Sequence, residues 1–436
     1  MTIISLWSLL ENERLLSTQR LQWLQRVAER AAQSGLAAYV VGGFVRDLLL
    51  ERMVNDFDIV IEGDAIVFAN LLAETYGGKM VAHKKFGTAK WWPDADEGPA
   101  SFLDLITARS EKYLYPAALP TVKFSTLSDD IRRRDFTINT LAMRLDGSYF
   151  GDLRDDLNAR EDLQNGLVRA LHPKSFIDDP TRLYRAVRYE QRYGFEIEPE
   201  TLSLFQTGRP VIEKLSAQRI RHELDLMLEE RTSMFMLARL AELDLLKPIH
   251  PALPVEIPNF SKLYQPDSIE PELRGIATTI DSNGFFGPSR DMLWLLWLAP
   301  LSESEINSIN ERLAFTSELI KLLLSASKLL QNVDSLVGFS PSQWVTRLDE
   351  TPLQAIAAVC LLTENVQVQD ALFVYLETWR HITPRTTGAD LKKRGIAPGP
   401  KYHEILSRLR AAWLNGEVKD NQAEMSLLES LLSKND

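Results

Sequence analysis

The stretch from Tyr39 to Gly63, YVVGGFVRDLLLERMVNDFDIVIEG, constrains this chain more than any other part of it. An apolar run enters two adjacent glycines, a short amphipathic segment follows, and Asp56 and Asp58 then stand one residue apart inside a second apolar run. Residues two apart in a strand face the same way, so Asp56, Asp58 and Val60 share one face while Phe57, Ile59 and Ile61 share the other and can enter a core. Two carboxylates so close repel each other unless a cation lies between them. A solvated strand edge is the simple alternative. A third acid, Asp104, in the otherwise apolar SFLDLI shifts the balance. Three carboxylates on neighbouring strands suit a hard divalent cation such as Mg²⁺, which takes oxygen ligands and keeps positions open for phosphate. Gly42 and Gly43 let the backbone approach an anion at a helix start whose N–H groups are free, and Arg46 lies one turn in, although a plain tight turn reads equally from the glycines alone. Joined together, these features suit phosphoryl or nucleotidyl transfer.

The surrounding pattern places this stretch in a mixed α/β head. Residues 13 to 34 read as a helix, LAAYVVGG as a strand entering a turn, FVRDLLLER as a helix, and DFDIVIEG as a second strand. Ile66 to Tyr76 reads as a helix and Ser101 to Arg109 as a further strand, so the first 150 residues alternate. From about Pro180 the pattern turns helical, with HPALPVEIPNF (His250 to Phe260) and FFGPSRD (Phe285 to Asp291) as joints between helical modules. A length of 436 residues allows several structural units, and 45% hydrophobic with 25% charged residues is the balance of a globular protein. The apolar start MTIISLWSLL lacks a basic leader, and MLWLLWLAP (Met292 to Pro300) is too short to span a bilayer and reads as core packing. Cys360 is the single cysteine, so neither a disulfide framework within the chain nor a cysteine-built zinc cluster is expected. The expectation is a cytoplasmic protein without a membrane segment.

A net charge of −11 argues against a wholly basic surface for nucleic acid. It leaves room for a local basic groove. Positive charge gathers in IRRRD (Ile131 to Asp135), in TRLYRAVRYEQR (Thr181 to Arg192) and in LKKRG (Leu391 to Gly395). His83, Lys84 and Lys85 before FGTAKW read as a solvated turn.

VGGFVRDLLL with NDFDIV resembles the first motif of the class II tRNA nucleotidyltransferase and poly(A) polymerase family, whose head is a nucleotidyltransferase domain like that of DNA polymerase β. DDIRRRDFTINTLA resembles the second motif, FGDLRDDLNAREDLQNGLVRAL the third, SFIDDPTRLYRAVRYEQRYGF the fourth, and LSAQRIRHEL the neck helix. TTGADLKKRGIAPGPKYHEILSRLRAAWLNGEV is similar to a stretch near the end of bacterial members. The resemblance implies an α+β fold: a polymerase β-like head with a mixed sheet over 1–150, then an all-α neck over 151–250, a body over 251–375 and a tail over 376–436 that grips tRNA. It implies that Asp56 and Asp58 bind two Mg²⁺ ions and that Asp104 helps to activate the RNA 3′-hydroxyl. Gly42, Gly43 and Arg46 would hold the triphosphate. Arg134, Asp135 and Asn139 would meet the sugar and phosphates, with Asp135 on the ribose 2′-hydroxyl. Asp179 and Arg182 would read the base edge, as an arginine fork donates where a carboxylate accepts, and Arg185 one turn on would reach phosphate. IDDP also reads as an ordinary helix start, with Asp179 as its cap and Pro180 in first position.

The implied reaction is template-independent addition of C and A to the 3′ end of tRNA from CTP and ATP. EKYLYPAALP, after Asp104, lies where the family carries a loop linked to the switch from C to A, and it looks more like the version in members that add only CC or only A. Such a member needs a partner enzyme to complete the terminus. A poly(A) polymerase fits less well, because the acidic NQAEMSLLESLLSKND offers no basic extension. A catalytically silent RNA-binding protein is the alternative from another class, and it has no need of three converging carboxylates.

Overall fold

The computed structural model describes residues 6–54, 57–93, 102–257 and 289–433. The chain divides into two compact units, Met1–Ser216 and Ala217–Asp436.

The first unit is built on a seven-stranded sheet in the order β3-β4-β5-β2-β1-β8-β9. Its strands are β1 (Ala37–Val41), β2 (Asp58–Glu62), β3 (Lys79–His83), β4 (Thr88–Trp92), β5 (Leu103–Thr107), β8 (Ala142–Arg144) and β9 (Leu153–Arg154). Only β2 and β5 run parallel; every other neighbour is antiparallel. A separate two-stranded hairpin, β6 (Arg109–Lys112) with β7 (Thr121–Phe124), leaves the end of β5, and β10 (Leu167–Val168) pairs in parallel with β11 (Glu196–Ile197). The strands expected within LAAYVVGG, DFDIVIEG and SFLDLITAR are present over 37–41, 58–62 and 103–107. The β3–β4 and β6–β7 hairpins are additional, because KMVAH and TVKF are too polar to announce themselves.

Helices α1 (Trp7–Leu10), α2 (Thr18–Gln33), α3 (Gly43–Leu49) and α4 (Ala65–Tyr76) precede α5 (Leu127–Arg132) and α6 (Ala159–Gln164). α2 begins later than residue 13 because the Ser17 hydroxyl accepts from the Arg20 amide and fixes its first turn. In α4 the Asp64 carboxylate accepts from Ile66 and Val67 at 2.9 and 3.0 Å, and Ala65, Phe68, Ala69 and Leu72 form the buried stripe. Tyr39, Val41 and Val60 of the sheet pack beneath Leu127 and Ile131 of α5, so the apolar half of the Asp58 face is covered and only its end remains accessible. Beyond the sheet lie the short α7 (Ser175–Asp178) and the long α8 (Thr181–Tyr193).

The described part of the second unit is helical. MLWLLWL forms part of the helix Arg290–Leu298, where every residue from Met292 to Leu298 is buried; Trp294 stacks on Trp297 at 5.4 Å and donates to Asp225 at 2.8 Å. Cys360 is buried and unoxidised. Among the described residues no helix is long and apolar enough to cross a membrane. The joint expected at 250–260 is free of helix and strand over its described part, 250–257; of the joint expected at 285–291 only 289–291 are described, where Ser289 caps the helix Arg290–Leu298. The LKKRG segment ends the helix Gly388–Lys393, and Gly395, at φ 82°, turns the chain toward the helix Pro400–Leu414.

This last region is fastened by one carboxylate. Glu424 has no exposed surface and accepts from the Arg385 amide (3.0 Å), the Thr386 amide (2.7 Å), the Thr386 hydroxyl and the Trp413 indole. Burial alone would raise its pKa; these four donors outweigh burial and hold the carboxyl below its ordinary range. Its contribution is therefore complete above the unfolded carboxylate pKa and is lost as pH falls through the lower folded value. Glu424→Ala, which strands those donors, is expected to cost about 3 kcal/mol. Hydrogen exchange of the Arg385 and Thr386 amides reads this locally; protection in Glu424→Gln should also depend less on acid than in the parent.

Candidate active site

The carboxylates meet at one end of the sheet. β2 and β5 are paired so that Asp58 lies directly opposite Asp104, and parallel partners in register present their side chains on one face. Lys90, opposite Asp104 on β4, brings its Nζ to 3.9 Å from Asp104 Oδ2 and partly offsets the like charges. Asp56 lies outside the described residues. Among the described residues there is no group of three or more His, Cys, Asp or Glu placed to hold a metal ion. What the sheet does supply is two half-exposed carboxylates side by side, an all-oxygen donor set that fits a hard divalent cation and not a soft one.

Asp58 lines a cavity of about 470 Å³ together with Gly43, Arg46, Arg134, Asp135, Asn139, Asp179, Arg182 and Arg185. Nine of the twelve residues singled out in the sequence thus converge. Of the others that are described, Gly42 lies just behind the wall and Asp104 beside Asp58. Eight arginines face this space, Arg46, Arg109, Arg133, Arg134, Arg182, Arg185, Arg188 and Arg192, against Asp58, Glu111, Asp135 and Asp179. The excess is strongly cationic, in a chain whose net charge is −11. Such a wall attracts a polyanion.

The glycine turn is shaped by this wall. Gly42 has φ 66°, and a Cβ there would stand 2.6 Å from Nη1 of Arg134, so both backbone and packing require glycine. Arg46 is only 4% exposed, with its guanidinium on Asp47 Oδ1 at 2.9 Å, on the Asn139 side-chain oxygen, and 4.5 Å from the centre of the Tyr193 ring. It is a fixed part of the cavity wall. Asn139 in turn donates to Asp135 Oδ1 at 2.8 Å, and Arg185 donates to Asp135 Oδ2 at 2.7 Å. Burial would raise the Asp135 carboxyl, but Arg185, Asn139 and Arg182 prevail and hold it well below the carboxylate range. It stays ionised throughout ordinary pH.

A second network orients the fourth motif. Asp130, fully buried, accepts from Arg133 (2.7 Å) and Arg134 (3.0 Å), and Glu111 accepts from Arg133 (3.0 Å) and Arg109 (3.1 Å). Tyr113 donates to Glu111 at 3.1 Å; burial pushes its hydroxyl up, so it remains a donor. Arg182, 5% exposed, donates through Nη1 to Ser175 Oγ and through Nη2 to the Arg133 carbonyl, both at 2.8 Å. Its fork is held from two sides before any ligand arrives. Asp179 accepts from the Thr181 amide (3.0 Å) and hydroxyl (2.6 Å), but it is not the cap residue expected: α8 begins at Thr181, so Pro180 takes the cap position and Asp179 precedes it.

Arg109, Glu111, Tyr113, Asp130, Arg133 and Ser175 belong to the site and were not anticipated as individuals. One signal for three of them stands in the sequence: Arg109, Glu111 and Tyr113 alternate, and strand residues two apart share a face.

Paired carboxylates on a sheet end, a glycine turn and an arginine-lined cavity define a nucleotidyltransferase head followed by a helical part. The Poly A polymerase head domain matches residues 38–169, and the Probable RNA and SrmB- binding site of polymerase A matches residues 194–256. The chain is 35% identical over 413 residues to an A-adding tRNA nucleotidyltransferase of Geobacter sulfurreducens, covering 90% of this chain and 45% of that one, so it spans about half of that relative. It is 32% identical to an A-adding tRNA nucleotidyltransferase of Halalkalibacterium halodurans, covering 93% of this chain and 91% of that one. Among solved structures, the Thermotoga maritima CCA-adding enzyme complexed with tRNA is similar with a TM-score of 0.77 and 26% identity, covering 100% of both chains. This chain belongs to the class II tRNA nucleotidyltransferase and poly(A) polymerase family.

The hold on Arg182 generates a prediction. Ser175→Ala removes one acceptor worth about 1.5 kcal/mol to a charged donor and is expected to reduce discrimination between ATP and CTP about tenfold. The ratio of kcat/KM for the two nucleotides reads it; an unchanged ratio with lowered rates for both would make Ser175 merely structural.

Proposed function

We propose that this chain transfers a nucleotide from ATP or CTP to the 3′-hydroxyl of tRNA, with no nucleic-acid template, and that its principal product is the terminal A. The observation that carries the reaction is the opening of Asp58 and the preset Arg182 fork onto one cationic cavity. The narrower product rests on EKYLYPAALP, which runs from the last two residues of β6 up to β7, and on relatives at 32–35% identity that are named A-adding. Mg²⁺ is the metal expected, held by Asp58 with Asp104 beside it and Asp56 as the further ligand; when bound it lowers the cost of charge on the reacting oxygens. The cytoplasm is the compartment proposed, and head, neck, body and tail over 1–150, 151–250, 251–375 and 376–436 the division of labour.

The chain's own groups then fall into roles. Arginines of the cavity wall bind and orient the triphosphate so that its α-phosphorus faces the carboxylates. The incoming 3′-oxygen bonds to that phosphorus, its proton leaves toward the Asp104 side, and the bond to pyrophosphate breaks. Asp135 keeps Arg185 and Asn139 aligned beside the sugar. Arg182 donates and Asp179 accepts at the base edge, where a bidentate match discriminates by roughly 1 to 3 kcal/mol.

Asp58→Asn and Asp104→Asn are expected to lower kcat on the order of 10³-fold while tRNA binding persists. Normal turnover by either variant removes it from the chemistry. Product identity is read by extending three tRNAs, one lacking the CCA end, one ending in CC and one complete, with ATP and CTP singly and together. Addition of A to the CC-ended tRNA alone is expected; full CCA on the first substrate would instead make this a complete CCA-adding enzyme.

A further inference from the structure

The β6–β7 hairpin carries an aromatic ring that the reaction above leaves without a task. We propose that Phe124, resting on the Phe86–Gly87 turn, is a stacking shelf for the unpaired 3′-terminal nucleotides of the acceptor RNA, an inference that builds on the proposed function. Phe124 is 58% exposed. It lies directly opposite Arg109 in the antiparallel pair, so the two side chains share a face, and Arg109 lines the cavity. The ring therefore stands at the rim of the site.

Its seat is built. Gly87 has φ 61°, and a Cβ there would lie 2.6 Å from Cε1 of Phe124, so the ring covers the one residue in this turn that has no side chain. The Phe86 carbonyl accepts from Arg109 at 3.3 Å, and the Phe86 ring is itself 49% exposed. The Gly87 carbonyl accepts from the Thr107 amide at 3.0 Å, which fixes the shelf to β5 three residues beyond Asp104. Three strand residues span about 10 Å. Stacked nucleotides rise ~3.4 Å each along one strand, so a terminus with its 3′-oxygen at Asp104 reaches Phe124 within its last few bases.

The surroundings select RNA as the occupant. Arg109 shares the ring's face and the exposed Lys84 opens the turn on which the ring rests, in a chain of net charge −11; Lys112 and Lys123 add exposed positive charge on the other face of the hairpin. Single-stranded nucleic acid is bound by such a pairing of aromatic faces with cations along the backbone. Lys84 of the turn before FGTAKW, read as solvated from the sequence, thereby gains a use.

The test compares the parent, Phe124→Ala and Phe124→Leu on tRNA ending in CC and on the same tRNA with its two last bases replaced by abasic riboses. Phe124→Ala is expected to raise KM for the intact RNA roughly 5- to 100-fold while KM for ATP stays within about twofold, with Phe124→Leu intermediate. The abasic RNA should lose a similar factor with the parent and nothing more with Phe124→Ala. An unchanged RNA KM, or losses that simply multiply, overturns the shelf. So does a fall in oligomeric state with Phe124→Ala at unchanged RNA KM, which would make the patch a contact between two copies. Fluorescence titration of end-labelled RNA gives the same comparison without turnover. Base-dependent binding that needs Phe124, with no transfer, would keep the shelf and sink the reaction; transfer that is indifferent to Phe124 would do the reverse.

Discussion

A carboxylate almost cut off from water organises the catalytic unit. Asp135, 6% exposed, takes hydrogen bonds from its neighbour Phe136, from Asn139 and from Arg185 in α8. Through Asn139 it reaches Arg46 and so the helix that follows the glycine turn. A buried charge without partners would cost several kcal/mol, and with this set it holds three distant segments in one arrangement. Because its pKa is depressed, the stabilisation is present above the unfolded carboxylate range and disappears only in strong acid.

The same logic recurs on the other side of the cavity. Eight arginines in one space repel one another, and Asp130 and Glu111 make that crowding tolerable by accepting from Arg109, Arg133 and Arg134. Neutralisation is local and incomplete, so the wall keeps a cationic excess for a triphosphate. The acidic net charge of the chain is no contradiction. It lies elsewhere on the molecule and discourages indiscriminate contact with nucleic acid.

How much of this was legible depends on sequence distance. The Gly42–Asp58 stretch announced a strand, a turn, a helix and a strand because each signal is local, and the register of Asp58 with Asp104 then follows from a parallel pair. Arg46 was readable as cationic but not as buried, since its cover of Tyr189 and Tyr193 comes from a helix more than a hundred residues away. Glu111 against Arg133 bridges 22 residues and is created only by folding, and Ser175 against Arg182, although seven apart, spans the break between α7 and α8 and does not follow one helix face. The hairpin was invisible for another reason: KMVAH and TVKF alternate too weakly to stand out from a loop.

Base selection by side chains alone demands rigidity, because a fork that swings can match any edge. Arg182 is held by a hydroxyl from α7 and by the Arg133 carbonyl, and the Arg133 guanidinium is held in turn by Asp130 and Glu111. Glu111 belongs to β6, opposite Val122 and two residues from Arg109, whose own partner across the hairpin is Phe124. The strand that steadies Arg182 thus also carries the rim of the cavity. An RNA end resting on Phe124 and a nucleotide read by Arg182 would bear on the same face of one short hairpin, so a shift at either would be felt at the other through Glu111.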